Sequence, residues 1–552
     1  LLKQAREMGD KLIVGVMSDE LMERDKRLPI MSMKERGEIL LHCKYVDDIV
    51  LGAPDPPDID DTFLDKYGIT YVVHSFSDKE KWKISKEYAH LIEKDKFRQL
   101  KRTQGISTTS LIDRVRERPT QVPQYSRRDI NTFVNRYEYP GKSYAKMYKT
   151  TFVRGNGLYV WDIDNNKYID CLNGFGVNIL GHNPPCLQNA LREYINTNPI
   201  WQGLDLMTPE HVDFVETLFS LLPEKLRNHK ICFIGPTGSE AIEMSIKLAR
   251  QQTKRLGIFA FTGCFHGSTI AANTLTGNRH DQTIGSLSHV YHMPFPREKE
   301  IDCPFGQGGD QGIELCLIYI RNLLLDKKGG IDIPAAMIIE PVQSDGGIIP
   351  TPVKFLEGLY NICTEFNILF ISDEIQTGFG KTGKLFGYQL ANIVPDIITC
   401  SKSWGGSLPL SFVLYRGDIK GLPHSGTFRG NQIAFKLGYF FMNYFQEHNI
   451  LENVKDIGRF WLDRRNSINS FTGVHEFRVC GSLLGLEFNN REICDKAFST
   501  FLENGLLVKQ GGRDYKTLIL WCMLNLNISD LEEIYKVFID SLSLSLPREY
   551  NV

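Results

Sequence analysis

Asp373 closes the apolar run I-L-F-I-S-D, and Lys402 comes two residues after the next such run, in D-I-I-T-C-S-K. A carboxylate in an apolar setting can keep a heteroaromatic nitrogen protonated. A lysine amine can condense with an aldehyde to form an imine. Together the two side chains suit group transfer through a ring that takes up electrons. Strand ends in α/β folds also carry Asp and Lys with no chemical task, so the pair alone leaves both readings open.

Four further segments bear on the choice. In I-C-F-I-G-P-T-G-S-E-A-I-E-M-S-I-K-L-A-R a strand leads through a Gly-rich turn into a helix with Ile242, Ile246 and Ala249 on one face. Gly238 and Ser239 then fall at the helix N-terminus, where free N–H groups and the helix dipole favour a phosphate, although most such turns serve only as turns. F-T-G-C-F-H-G-S-T offers Phe265 either to stack on a flat ring or to fill a core. I-I-E-P-V-Q-S-D-G-G again runs from a strand into polar residues. H-S-G-T-F-R-G-N-Q supplies Thr427 and Arg429 as anion ligands on a loop.

These segments need an α/β frame. Apolar runs such as I-C-F-I-G, A-A-M-I-I-E and I-L-F-I-S-D alternate with helical patterns, which predicts a mostly parallel sheet. Upstream, residues 1–115 show the same rhythm on a smaller scale: a helix ending at Gly9, a strand at K-L-I-V-G-V-M, a helix over Met33–Cys43, and strands at Asp48–Leu51 and I-T-Y-V-V-H. Between the blocks, Arg116 to about Lys142 is charged and interrupted by Pro119, Pro123 and Pro140, a composition typical of a domain boundary. The expected organisation is a first domain over 1–118, a linker over 119–142 and a second domain over 143–552.

The ordered motifs of the second block resemble the class III (ω-type) pyridoxal phosphate aminotransferases. That resemblance implies a fold-type I transferase with a large α/β and a small α+β domain. It further implies Lys402 as the Schiff-base lysine, Asp373 as partner of the pyridine nitrogen, Phe265 on the ring face, Gln376 near the ring hydroxyl, and Gly238 and Ser239 at the phosphate. Thr427 would reach the phosphate from the neighbouring subunit, so a homodimer with shared sites is expected. T-F-R-G-N, G-P-T-G and L-D-L-M-T look most like diaminobutyrate–2-oxoglutarate aminotransferases. Two positions depart from the family pattern: Asp345 stands where many members have a Glu that gates an arginine, and Trp521 stands where that arginine is expected. Trp cannot clamp a carboxylate bidentately. Either the usual glutamate/2-oxoglutarate half-reaction is absent, or another arginine, Arg154 or Arg429, takes that place.

The front block carries K-R-T-Q-G-I-S-T-T-S-L-I-D-R-V, whose Ser107, Thr108 and Thr109 open a helix, either as a plain N-cap or as a triphosphate cradle with Arg102 beside it. With L-I-V-G-V-M-S-D-E, P-I-M-S-M-K-E-R, C-K-Y-V-D-D-I-V and Y-V-V-H-S in order, it resembles cytidylyltransferases acting on ethanolamine, choline or glycerol phosphate. The resemblance implies a Rossmann-like nucleotidyltransferase fold, CTP with Mg2+ as substrate, Lys26 and Arg36 near the phosphates, and His74 near the nucleotide. The H-x-G-H that supplies charge stabilisation in that family occurs nowhere in the chain. Truncation ahead of Leu1 is expected, a non-catalytic domain being the alternative.

Bulk properties exclude several classes of partner. A formal charge of −2 over 552 residues leaves no electrostatic footprint for nucleic acid or an anionic membrane. No apolar stretch approaches a membrane span, and twelve scattered cysteines without C-x-x-C spacing fit a reducing cytoplasm without a zinc site. The expected function is bifunctional: transamination of small amine and carbonyl compounds, yielding an amino compound that bears a phosphate or phosphonate, followed by CTP-dependent activation. The alternative is a diaminobutyrate-type aminotransferase with a degenerate or nucleotide-sensing front domain.

Overall fold

The computed structural model of the chain describes residues 2–25, 29, 31–75, 86–100, 130–137, 147–278, 286–297 and 305–547. The chain forms two compact units, Leu1–Gln124 and Tyr125–Val552.

Among its described residues the first unit holds two parallel strand pairs, Ile13–Val16 with Asp48–Leu51 and Val72–Ser75 with Phe97–Leu100. Leu12, Val14, Val73 and Leu100 meet in one small core, while Leu64, Tyr88, Leu91 and Phe97 form another. The helix Met33–Leu41 starts at Ser32, whose backbone N–H donates to Glu35 Oε2 at 2.8 Å while its hydroxyl accepts from the Glu35 N–H, closing a reciprocal cap. The opening helix spans Leu2–Arg6 and so stops short of Gly9.

The second unit is built on a seven-stranded sheet. From one edge to the other the strands are Val290–Met293, Ile258–Phe261, Ala336–Ile339, Leu369–Asp373, Ile397–Cys400, Phe412–Arg416 and His229–Phe233. Neighbours are parallel until Phe412–Arg416, which runs antiparallel to both of its partners. Alternate residues enter opposite cores. Phe259, Phe261 and Phe370 pack on one face, and Ile258, Ala260, Leu369 and Ile371 on the other. Burial on both faces is why these strands read as unbroken apolar runs.

A smaller antiparallel sheet follows, ordered Val474–Cys480, Leu483–Phe488, Thr517–Trp521, Lys509–Gly511. It packs with the helices Ile450–Asn469, Arg491–Glu503 and Ile528–Ser545 around Trp461, Phe477, Phe501 and Phe538. Among the described residues no helix is long and apolar enough to cross a membrane.

Candidate active site

Asp373 and Lys402 sit at the C-terminal ends of adjacent parallel strands, where open α/β sheets place ligands. Strand register sets Asp373 opposite Thr399, three residues before Lys402. Asp373 is 3% exposed, and its carboxylate accepts from Thr399 Oγ1 at 3.1 Å, the Ile375 N–H at 3.1 Å and His266 Nδ1 at 2.7 Å. Three donors fix both oxygens and satisfy the acceptors of the buried carboxylate.

Lys402 has φ +57°, the left-handed region that costs a branched-out L residue about 1–2 kcal/mol. That turn takes its side chain off the strand line, and its Nζ donates to Gln376 Oε1. The next residue is latched on both sides. Ser403 Oγ accepts from the buried Lys381 Nζ at 2.9 Å and donates to the Gly176 carbonyl at 3.0 Å. Burial and the nearby Lys509 ammonium push the Lys402 amine down to about 8, against the pull of Asp373, Asp345 and Glu340.

Gln376 is 6% exposed, and among the described residues its buried Nε2 has no hydrogen-bond partner. A Cβ on Gly176, which has φ +79°, would lie 2.3 Å from that nitrogen, so only glycine permits this approach. An unpartnered buried donor beside the reactive amine is what a ligand acceptor group would satisfy.

Gly238 and Ser239 open the sixteen-residue helix Gly238–Thr253 behind the strand His229–Phe233. A Cβ on Gly238 would meet Ile375 at 2.8 Å, so this helix end abuts the turn that follows Asp373. Ser239 Oγ accepts from the Ser268 N–H at 3.2 Å, tying the helix to the loop that carries Phe265 and His266. Phe265 keeps 39% of its surface exposed, and its N–H donates to Glu340 at 2.8 Å. Its ring is therefore not the core filler that the sequence also allowed. Burial holds the Glu340 carboxyl up at about 8, against the pull of His266.

Asp373, Lys402, Gln376, Phe265, Gly238 and Ser239 are thus stitched together by one set of contacts. Thr427 is not. It is exposed, its carbonyl accepts from Gln202, and no hydrogen bond among the described residues joins it to that set. Within this one chain, neither expected substitute arginine bonds to that set. Exposed Arg154 bonds Asn165 at 2.9 Å and lies over the Trp161 ring, while Arg429 pairs with Asp205. An arginine reaches only as far as its own strand or loop allows, and both stand on elements turned to other contacts.

Sequence reasoning passed over His266, Glu340 and Lys381, although two of them lie inside quoted motifs. A histidine next to a proposed stacking residue was the available signal. Burial pulls the His266 imidazole down, but neighbouring Cys264 and Asp373 hold it well above its ordinary value.

In the first unit, His74 is an exposed member of the strand Val72–Ser75, its ring 5.8 Å from Tyr88. Arg36 is drawn inward, donating to the Met17 carbonyl at 2.9 Å and pairing with Asp19 at 2.5 Å. Lys26, Arg102, Ser107, Thr108 and Thr109 lie outside the described residues. No group of three or more His, Cys, Asp or Glu among the described residues is placed to hold a metal.

Comparison with known proteins matches both units. The model for Aminotransferase class-III matches residues 141–542, and that for Cytidylyltransferase-like matches residues 1–114. A diaminobutyrate–2-oxoglutarate aminotransferase of Haemophilus influenzae is 33% identical over 73% of this chain and 92% of its own length. The diaminobutyrate–2-oxoglutarate transaminase of Halomonas elongata is 34% identical over 72% of this chain and 96% of its own. Among solved structures, a transaminase from the marine bacterium Virgibacillus superposes with a TM-score of 0.67 at 22% identity, covering 76% of this chain and 99% of that one.

Proposed function

The chain belongs to the class III aminotransferases, a pyridoxal phosphate-dependent family, and on that premise we propose that it transfers amino groups at Lys402 and Asp373 and activates the amine product with CTP. The observation that carries the first half is the pairing of a depressed, cofactor-ready lysine with a triply hydrogen-bonded carboxylate at adjacent strand ends. Pyridoxal phosphate bound there supplies an aldehyde for the amine and a ring that takes up electrons.

The chain's own groups divide the remaining work. Lys402 would hold the cofactor aldehyde, and its amine is the base that would move the α-proton of an amine substrate. Asp373 keeps the ring nitrogen protonated, with His266 and Thr399 holding its orientation. Gln376 Nε2 is free to donate to the ring hydroxyl, and Phe265 offers its exposed face to the ring. Gly238 and Ser239 hold the phosphate at the helix N-terminus. Thr427 joins from a second copy, a reading supported by exposed Trp201, Leu206, Met207 and Phe428 on the neighbouring segments.

A lysine near 8 makes a direct prediction. Only the neutral amine attacks an aldehyde, so cofactor attachment to the apoprotein should quicken about tenfold per pH unit between pH 6 and 7. The rate should level off above about pH 8. Stopped-flow absorbance on mixing apoprotein with pyridoxal phosphate reads this directly. A rate still rising at pH 10 would place the attacking amine in an unperturbed setting.

The coupled function assigns residues 1–118 to a CTP-using domain, 119–142 to a linker and 143–552 to the transaminase. It is supported by the cytidylyltransferase-like match and by the presence of both matched families in one chain. The diaminobutyrate-type reading is favoured by the relatives named above. Incubating holoprotein with an amino donor, a phosphate-bearing carbonyl compound, CTP and Mg2+ separates them. The coupled reading expects pyrophosphate release that depends on prior amine formation. CTP binding without pyrophosphate indicates a sensing domain. Diaminobutyrate turnover without CTP binding leaves the aminotransferase alone.

A further inference from the structure

The cation that the Trp521 position lacks is present on the neighbouring strand. Lys509 opens the strand Lys509–Gly511 and lies in register with Ile519. Side chains alternate along a strand, so Lys509, Ile519 and Trp521 share one face. On that face Ile519 and Trp521 pack against Val342 and Ile348, on either side of the Gln343–Gly347 turn.

Lys509 Nζ lies 5.4 Å from the Phe175 ring centroid and 5.8 Å from that of Trp521, the two rings standing 5.6 Å apart. Both distances are within cation–π reach. The ammonium pairs with Asp345, whose other oxygen accepts from Asn278 Nδ2 at 3.3 Å. The Lys509 side chain is 15% exposed and that of Asp345 27%. Trp521 itself is held by its Nε1–H, which donates to Ser344 Oγ at 3.3 Å.

The pair stands near the reacting amine: the Phe175 ring beside Lys509 adjoins Gly176, which lies against Gln376, the partner of Lys402 Nζ. A partly buried ion pair is a weak source of stability, because desolvation offsets its attraction. Here the pair retains a solvent-facing side and a short, single-carboxylate counter-ion on a glycine-flanked turn. A ligand anion can take the place of that carboxylate without leaving a buried charge unpaired.

We propose that Lys509 is the specificity-determining cation for the carboxylate of the keto-acid/amino-acid partner that exchanges the amino group, with Asp345 as the counter-ion it exchanges when that carboxylate enters. The ligand class is a carbonyl compound bearing a carboxylate. Lysine recognises it as a point charge with three donors, where an arginine would impose planar bidentate geometry. The aromatic walls of Phe175 and Trp521 hold the ammonium while its partner changes. This inference rests on the transaminase reading of Lys402.

The test uses holoprotein carrying Lys509→Gln, Lys509→Arg or Asp345→Asn, with 2-oxoglutarate, pyruvate and butanal as acceptors. Lys509→Gln should lower kcat/KM for the two carboxylated acceptors by about 30- to 1,000-fold, mainly through KM. The loss with butanal should be at least about tenfold smaller than with the carboxylated acceptors, and Lys509→Arg, which keeps the charge, should recover part of the difference. Asp345→Asn should tighten the apparent KM for 2-oxoglutarate. The pH midpoint of the lysine-linked cofactor's absorbance should also move up in Lys509→Gln, because a positive neighbour is lost. Equal losses with butanal and 2-oxoglutarate, or a wild-type protein that accepts butanal but no carboxylated carbonyl, would overturn the proposal. A wild-type protein with no lysine-linked absorbance would overturn the underlying reading instead, so the two failures are distinguishable.

Discussion

Lys402→Ala holoprotein should lose transamination by at least about 10³-fold, since the variant lacks both the attachment point and the base that moves the α-proton. The protein should remain folded. Lys402 is only partly buried, its Nζ bonds Gln376 alone among the described residues, and alanine tolerates φ +57° at a cost similar to that of lysine. The decisive readout is covalent. Borohydride treatment of wild-type holoprotein should tag the peptide containing Lys402, and the variant should carry no tag although pyridoxal phosphate still binds. A tag on Lys381 or Lys509 in wild type would move the attachment site. Lys381 is the stronger competitor, since burial and the Lys402 charge hold its amine well below the usual lysine value, but that amine is already committed to the Gly378 carbonyl at 2.7 Å and to Ser403 at 2.9 Å.

Asp373→Asn should behave differently. Lysine attachment should survive, because Lys402 is untouched, while kcat falls by about 10²- to 10⁴-fold for want of a charge to hold the ring nitrogen protonated. The substitution also leaves one of three buried donors facing an amide NH2 in place of an oxygen. Breaking such a buried charged contact costs about 3–5 kcal/mol. Its pH dependence follows from His266, whose imidazole is held well above 6.5 by neighbours that outweigh its burial. A raised folded-state value contributes stability that is complete below 6.5 and fades as pH climbs through the folded value. The stability advantage of wild type over Asp373→Asn should therefore be greatest below pH 6.5 and shrink above it. Thermal unfolding of the two apoproteins across pH 5.5 to 9 measures this. A gap that widens with pH would mean that His266 is not charged by Asp373.

Much of this arrangement was legible before any coordinates, for a definite reason. Strands covered on both faces must be apolar at every position, so the polar residue ending each run stands out; Asp373 and Lys402 were visible that way. Helix starts were visible because N–H groups without intrahelical partners select small and polar residues, as at Thr237, Gly238 and Ser239. The expected helix over Met33–Cys43 appears as Met33–Leu41, its start set by the Ser32–Glu35 cap. The matched families follow from the same motifs.

Other features depend on contacts between segments far apart in the chain, and local sequence holds no record of them. The 107-residue separation of His266 from Asp373 hides a 2.7 Å contact. Lys509 sits in L-L-V-K-Q-G-G, which has no distinguishing pattern, and gains its setting only when its strand pairs with Thr517–Trp521 and faces Asp345. For the same reason the pairing of Arg154 with Asn165 and of Arg429 with Asp205 could not be read from residue type.

The sequence by itself determined the chemistry available here: a lysine and an acid at strand ends, a phosphate-suited helix start, and a front block of cytidylyltransferase type. Only the tertiary structure decided which acid is triply supported, which lysine is depressed to about 8, and which cation stands beside it. Residue type sets what a side chain can do. Its charge state and partners are properties of the packed neighbourhood, and that comes from strand register and layer packing across hundreds of residues.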